Sequence, residues 1–421
     1  MSAIPSLKKN HLYRLPWSAN DNPIGWVEVT DICNIKCEGC YRLIMGDGHK
    51  SLEQIKSEIY FMKKWRNCDN ISLAGGEPIL HPDIIDIVGF IKFLKMKCVI
   101  LTNGYALNDS MISQLKKAGL TGFSFHIDTT QIRPEFKKKK IESEMNLSDL
   151  RLHYAKMACK AKVNASFGIT VHAENYNEVP EFIQWAINNS NLVSGISLIT
   201  HRMMPTKGIT YFANGKEVNV GADSLGYTSE NNSSNETPAI TSKDLYSLIK
   251  SHFPGYEATS YLGGTEDHTS FKWLIGNMIV DKRGRIYGGY GKKAMELIQT
   301  FHHFFNGSYL VYPNRKVGKA ILLLSPFDKF LRKAFLNIIK QGLKNPIRFF
   351  KPLNVLGIGI IQAPDILPDG KIDMCDDCPD MCLHEGKMVN SCRLDECRIY
   401  GSFLEPRIQK TQEKPIDPIL N

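Results

Sequence analysis

Cys33, Cys37 and Cys40 fall within eight residues and follow the β-rich run Val27-Glu-Val-Thr30, which places three thiols on a loop leaving a strand. Thiolates at this spacing bind zinc if a fourth ligand comes from elsewhere, or they bind an iron–sulfur cluster. Only three are supplied. A [4Fe-4S] cluster held by three thiolates keeps one iron open, and an open iron can take a cofactor. Five more cysteines, Cys375, Cys378, Cys382, Cys392 and Cys397, crowd the far end of the chain, and such density with a CxxC points to a second metal site. Either an iron–sulfur cluster or a structural zinc fits there. Cys68, Cys98 and Cys159 stand alone in apolar surroundings and are expected as small buried hydrophobes.

These groups need a scaffold. From Trp26 to about Pro205, short β-rich runs alternate with longer helical patterns, the signature of repeated βα units around a parallel sheet. The expected strands are 26–30, 71–73, 98–102, 122–128, 163–171 and 195–200, and the expected helices 51–65, 83–94, 109–118, 148–160 and 179–188. Several of these helices open on a Ser or Asp able to cap free amides. The fold class is therefore α/β, a partial (βα)6 TIM-like barrel whose reactive groups gather at the carboxyl ends of the strands, followed by a smaller α+β cysteine-rich region. The expected divisions are an extension at 1–24, the barrel core at 25–210, a linker and hairpin region at 211–312, a basic amphipathic segment at 313–352, the cysteine-rich region at 353–404 and a tail at 405–421. A capped helix is expected over 241–251 and a hairpin over 273–288. The polar stretch 221–238 reads as a loop, and its glycosylation-like matches at Asn231, Asn232 and Asn235 are read as accidental.

Composition narrows the setting. A chain of 421 residues holds two or three domains, and its longest apolar runs, such as Ala320–Leu324, fall far short of the roughly 18 residues of a membrane span. The first residues show no apolar core of a secretory signal, so the expected setting is the cytoplasm, where eleven reduced cysteines serve metal better than disulfides. The net charge of +9 comes from one place: residues 314–351 hold ten Lys and Arg against the single acid Asp328.

The C-x3-C-x2-C triad resembles the signature of radical S-adenosylmethionine (SAM) enzymes. A second match, Ala74-Gly75-Gly76-Glu77-Pro78 after the second strand, is similar to that family's GGEP motif. The resemblance implies that the open iron chelates the amino and carboxylate groups of SAM's methionine, that Gly75, Gly76 and Glu77 hold the ammonium, and that an electron from the cluster yields a 5′-deoxyadenosyl radical able to take hydrogen from a substrate. It further implies that Thr102 and Asn103 lie near the adenosine, that His126 and Asp128 contact ribose or substrate, and that Arg151 pairs with SAM's carboxylate; a simple turn, a loop anchor and a surface arginine are the plainer readings of these three. An electron donor such as flavodoxin or ferredoxin is implied as a partner. One departure stands out: Gly39 occupies the position where the family usually has a sizeable residue. At the far end, the hairpin 278–287 lacks the cysteine usual in extended relatives, so one site is expected, built from Cys375, Cys378 and Cys392 with Cys382 or Cys397.

Between Pro326 and Lys344, Phe327, Phe330, Leu331, Ala334, Phe335, Ile338 and Ile339 form one helical face, with Lys329, Arg332, Lys333, Lys340 and Lys344 elsewhere. Such a helix either lies on an anionic membrane or packs on a core with a solvated basic back. Nucleic acid is disfavoured, because the aromatics are not interleaved with the cations. The expected function is thus a radical SAM enzyme acting on a membrane-associated lipid. The alternatives are modification of a peptide or protein, and a non-catalytic zinc protein.

Overall fold

The computed structural model describes residues 7–46, 48–137, 139–202, 204–222, 224–229, 239–312 and 318–408. Asn231, Asn232, Asn235, Arg315 and Lys316 lie outside them. Six strands, β1 (Ile24–Thr30), β2 (Asn70–Gly75), β3 (Lys97–Thr102), β4 (Gly122–His126), β5 (Asn164–Val171) and β6 (Val193–Thr200), pair in chain order, each parallel to the next. Five helices connect them: α1 (Leu52–Arg66), α2 (Ile84–Phe93), α3 (Asp109–Ala118), α4 (Ser148–Lys160) and α5 (Val179–Asn188). β1 and β2 are buried along their whole length, as parallel strands covered on both faces must be. The core lies between sheet and helices, with Val27, Leu73, Ile100, Phe125 and Phe167 meeting Ile55, Ile59, Ile87 and Phe182.

The caps differ in part from expectation. Ser51 accepts from the Gln54 amide at the head of α1, but Asp83 makes no capping bond to α2, Asn108 rather than Asp109 caps α3, and Ser148 is already inside α4. The 3-10 turn Glu144–Leu147 runs directly into α4, so no capping position is left for Ser148. Further on, α6 (Ser242–His252) carries a capping box between Thr241 and Asp244.

The sheet does not stop at residue 210. β10 (Leu353–Ile361) pairs parallel with β6, β8 (Trp273–Asp281) antiparallel with β10, β7 (Glu257–Leu262) antiparallel with β8, and the short strand Tyr13–Arg14 parallel with β7. The run 353–361, expected to open the cysteine-rich region, is instead a central strand of the same sheet. Its mostly apolar sequence, LNVLGIGII, is buried through Leu356 and alternates between buried and half-buried beyond it, as suits a strand inside a sheet. β9 (Ile286–Gly288) completes the expected hairpin with β8. Glu405–Ile408, expected in the tail, pairs antiparallel with Ile209–Ala213. Among the described residues no helix is long and apolar enough to cross a membrane.

The carboxy-terminal region is joined to the barrel by buried charge. Arg42, just beyond the cysteine loop, pairs with Glu28 of β1 at 2.8 Å, with Asp31 at 3.4 Å and with Asp395 of α9 (Leu394–Tyr400). Arg398 adds Asp395 at 2.9 Å and Asp31 at 3.3 Å. Arg66, at the end of α1, donates to the carbonyls of Cys378 and Pro379 at 2.6 and 3.1 Å. Arg202, just after β6, pairs with Glu396 at 2.9 Å. Removing Arg42 strips buried Glu28 of its cation and leaves Asp31 and Asp395 to Arg398 alone, so Arg42→Ala should lower unfolding free energy by about 3–5 kcal/mol. Urea denaturation of the metal-free chain measures this, and a loss under about 1 kcal/mol would contradict the central role given to Arg42.

Candidate metal and cofactor site

Each sequence-predicted barrel motif lies at the carboxyl end of a parallel strand. Cys33, Cys37 and Cys40 follow β1, and Lys36–Cys37 is pinned antiparallel to Gln131–Ile132. The loop lies directly on the glycine turn after β2: Gly76 N donates to Thr30 O at 2.9 Å and Glu77 N to Ile32 O at 2.8 Å. A Cβ on Gly75, whose φ is +117°, would lie 2.3 Å from Thr30 O, and one on Gly76 would lie 2.3 Å from Ile32 O. These glycines are therefore required by the close approach of the cysteine loop's own backbone, in addition to any ligand.

Glu77 is fully buried. Its carboxylate accepts from Thr102 Oγ1 at 2.7 Å, Asn103 N at 2.8 Å and Ile79 N at 3.1 Å, which ties β2 to the loop after β3. Burial pushes its pKa up to about 7, against those hydrogen bonds. Asn103 in turn reaches the cysteine loop, with Nδ2 2.8 Å from Asn34 Oδ1 and 3.9 Å from Cys33 Sγ. Glu77, Thr102 and Asn103 thus form one hydrogen-bonded unit beneath the triad.

Burial raises all three thiols, Cys40 to about 11, and for Cys37 the neighbouring Cys40, Asp128 and Cys33 add to the rise. Half-buried thiols that oppose one another's ionisation suit a positively charged metal centre, which supplies the charge that draws their protons off. The donor set fits a [4Fe-4S] cluster with one open iron. Among the described residues no three His, Cys, Asp or Glu side chains are drawn together tightly enough to surround a single ion.

Two predicted residues are turned away from this site. Arg151 is fully buried; it donates to Ile127 O at 2.8 and 3.0 Å and to Glu144 O at 2.7 Å, ion-pairs with the Glu144 carboxylate and lies over the Phe182 ring. It is neither a surface arginine nor free to take a carboxylate from SAM, because a buried guanidinium has to be compensated from within. His126 and Asp128 do share a face, 2.8 Å apart. Asp128 is enclosed, also accepting from Thr170 N at 2.8 Å and Thr130 Oγ1 at 2.5 Å, so the half-exposed His126 is the member of the pair left to face a ligand. Burial favours neutral His126, but Asp128 outweighs it and raises the pKa, while Asp128 itself is driven strongly down by His126.

Sequence reasoning missed His201, after β6. A Cβ on Gly39 would lie 2.3 Å from its Nε2, so the glycine before the third cysteine makes room for an imidazole from across the barrel. His201 has a lowered pKa, from burial first and then from His172, whose ring lies 6.4 Å away. Tyr41, after the triad, packs on Trp26 and accepts from Gly75 N at 3.4 Å.

At the far end, Cys378 interacts with Cys375 on one side and with Cys392 on the other. The neighbouring Cys375 thiol holds Cys378 below the usual thiol range, at about 7, with Asn390 and the Asp380 amide also lowering it; Cys378 in turn raises Cys392, whose rise is due first to burial. Cys382 does not join them. It lies on the hairpin of Met381–His384 and Lys387–Asn390 and packs with Trp26, Ala74, Val389 and Leu394, whereas its strand neighbour Met381 and that residue's partner Asn390 face the other way, toward Arg66 and Cys378. Cys397 packs at the edge of the same apolar cluster as Cys382. The carboxyl beside the trio is Asp380, raised by burial and by Cys378.

Residues 27–186 match the family model described as the Radical SAM superfamily. A probable GTP 3',8-cyclase of Methanocaldococcus jannaschii is 31% identical over 119 residues, covering 27% of this chain and 38% of that protein. A tungsten-containing aldehyde ferredoxin oxidoreductase cofactor-modifying protein of Pyrococcus furiosus is 24% identical over 184 residues, 42% of this chain and 52% of the other. HydG, a maturase of the [FeFe]-hydrogenase, aligns with a TM-score of 0.37 at 16% identity, over 55% of this chain and 49% of its own. Streptococcus suis SuiB bound to S-adenosylmethionine gives 0.35 at 15% identity, over 44% and 42%. The chain thus spans about half, or less, of the length of these proteins.

After anaerobic reconstitution, Cys378→Ala and Cys392→Ala should each lose the carboxy-terminal share of bound metal, whereas Cys382→Ala and Cys397→Ala should keep it; loss of metal in Cys382→Ala would disprove the sorting. In the metal-free chain, the folded Glu77 carboxyl titrates near 7 and the unfolded one near 4.5, so its ionisation costs stability increasingly as pH rises between those values and constantly above them. Glu77→Gln lacks this titration, and its stability relative to the parent should therefore improve by on the order of 3 kcal/mol from pH 4.5 to pH 7 and then level. A difference that stays flat with pH would refute the raised pKa.

Proposed function

With residues 27–186 a radical SAM domain and the chain a member of that enzyme superfamily, we propose that it reductively cleaves SAM at a [4Fe-4S] cluster held by Cys33, Cys37 and Cys40 and directs the 5′-deoxyadenosyl radical at a membrane-associated lipid. The observation that carries the first half is the bolting of the cysteine loop onto the Gly75–Gly76 turn, with buried Glu77 beneath it. A carboxylate offers about four acceptor positions, and the protein fills three at Glu77. The remaining one suits the ammonium of a bound methionine moiety. A cation there returns a carboxyl of pKa about 7 to its charged form, so binding near neutral pH releases a proton. Thr102 and Asn103 hold Glu77 in place, and Asn103 also steadies the loop at Asn34. His126 ends β4, His172 and His201 directly follow β5 and β6, and all three would meet the substrate.

The lipid half rests on α8 (Lys329–Lys344). Leu336 and Leu343 are 58% and 74% exposed on a helix that also carries Lys329, Arg332, Lys333, Lys340 and Lys344, a combination suited to an anionic membrane surface. A ferredoxin or flavodoxin supplies the electron, and the Cys375, Cys378, Cys392 trio holds a second iron–sulfur cluster or zinc. Anaerobic protein given dithionite and SAM should release 5′-deoxyadenosine, and Cys37→Ala should reduce that release to background. With deuterated substrate candidates, label should enter 5′-deoxyadenosine from a lipid extract and not from peptides. Label from peptides alone would move the substrate to the peptide class, and zinc without sulfide in the purified protein would refute the radical chemistry.

A further inference from the structure

The apolar face of α8 is divided. Leu331 and Ala334 are buried with Tyr287, Ile279 and Val355, and Ala334 closes on Gly288 so tightly that a Cβ there would lie 3.0 Å from its own. The other edge, Phe335, Ile338 and Ile339, is only half-buried, with Ile338 touching the rim of that cluster. It opens on a groove of about 500 Å³, closed opposite by Leu322 and Leu323 of the 3-10 helix Ala320–Leu324 and at one end by Arg348, Lys351 and Leu353. That volume is the size of a small-molecule site. The lip of the groove is more apolar still: Leu323 is 80% and Phe350 84% exposed.

The end of the groove is cationic. Arg348 turns its hydrogen bonds to Gln341 of α8, and its buried Nε has no partner. Lys351 is held below the ordinary lysine range, by desolvation first and then by Arg283 and Arg285, against Asp281 and with Lys282; the turn between β8 and β9 brings these groups to the same end, where Asp281 pairs with Arg285 at 2.6 Å and leaves an excess of positive charge. An apolar trough leading to a cluster of cations matches a molecule with one aliphatic arm and one anionic group. The exposed apolar lip matches a bilayer from which such a molecule could be engaged without leaving it.

We propose that this groove binds one anionic phospholipid at a bilayer surface, its acyl chain against Leu322, Phe335, Ile338 and Ile339 and its phosphate between Arg348 and Lys351. The site lies in residues 319–353 and is separate from the mouth of the barrel. It rests on the membrane half of the proposed function and is independent of the SAM chemistry, so the lipid acts as an anchor whether or not a lipid is also the substrate.

Sedimentation of the full chain with vesicles tests it. The protein should bind vesicles of phosphatidylcholine mixed with phosphatidylglycerol and not vesicles of phosphatidylcholine alone. Arg348→Glu and Lys351→Glu should each weaken binding by about fivefold or more, Ile339→Trp should weaken it by filling the trough, and Lys116→Glu, an exposed lysine on α3, should have much less effect. A photoactivatable phosphatidylglycerol should label residues 319–353, a readout that does not depend on any variant folding. Release of 5′-deoxyadenosine without lipid should be unchanged in all four variants, which separates failure of this site from failure of the radical chemistry. No binding to either vesicle, equal loss in Lys116→Glu, displacement by millimolar inorganic phosphate as for a free phosphate site, or labelling elsewhere would each overturn the proposal.

Discussion

A guanidinium among three carboxylates holds this protein's two chemical regions together. The loop that carries Cys33, Cys37 and Cys40 has only a two-residue ladder of its own, at Lys36–Cys37. Its far end is fixed because Arg42, 5% exposed, meets Glu28 from the first strand, Asp31 from the start of the loop and Asp395 from α9. Buried ion pairs of this kind contribute modest net stability, but they are costly to break and are satisfied in only one arrangement. The third cysteine and the carboxy-terminal region are therefore located by the same cation. Arg66 and Arg202 repeat the device on either side, gripping Cys378 and Pro379 carbonyls and Glu396.

Closeness between the cysteine loop and the second strand sets much of the site's chemistry. With the loop seated on that strand's end, only glycine fits at 75 and 76, and the amide of Gly76 and that of Glu77 are spent on the loop. Glu77 is then sealed from solvent, with donors from Thr102, Asn103 and Ile79 and a smaller contribution from the charge of Arg133. Three hydrogen bonds do not offset full desolvation, and so the carboxyl titrates near 7. Gly39 and His201 show the same constraint across the barrel, where one residue's missing side chain is the other's room.

The basic segment obeys a different logic. Its one acid, Asp328, caps α8 through the amides of Phe330 and Leu331, and it also accepts from Gly291 and Ala294 at the start of α7 (Lys292–Asn306). One carboxylate thus sets two helix starts together and decides which stripe of α8 meets the sheet. The helical period alone made the apolar face continuous; the packing divided it into a buried edge and a groove.

The sequence determined the local elements and the chemistry. Alternating β and helical runs predicted six strands and five helices close to their observed bounds, because parallel strands need unbroken apolar runs and helices a 3.6-residue period, both of which are local. The triad and GGEP declared themselves through spacing within single loops. What the tertiary structure alone decided involves partners far apart in the chain. Leu353–Ile361 joined the barrel sheet because its partners, β6 and β8, are remote. Cys382 separated from Cys378 because strand alternation turns it toward Trp26. Arg151 was claimed by Glu144 inside the protein, where the resemblance had implied a ligand and the plainer reading a surface arginine. Spacing states which groups are near along the chain, whereas burial and charge compensation determine which of them remain free to act, and those are properties of the folded whole.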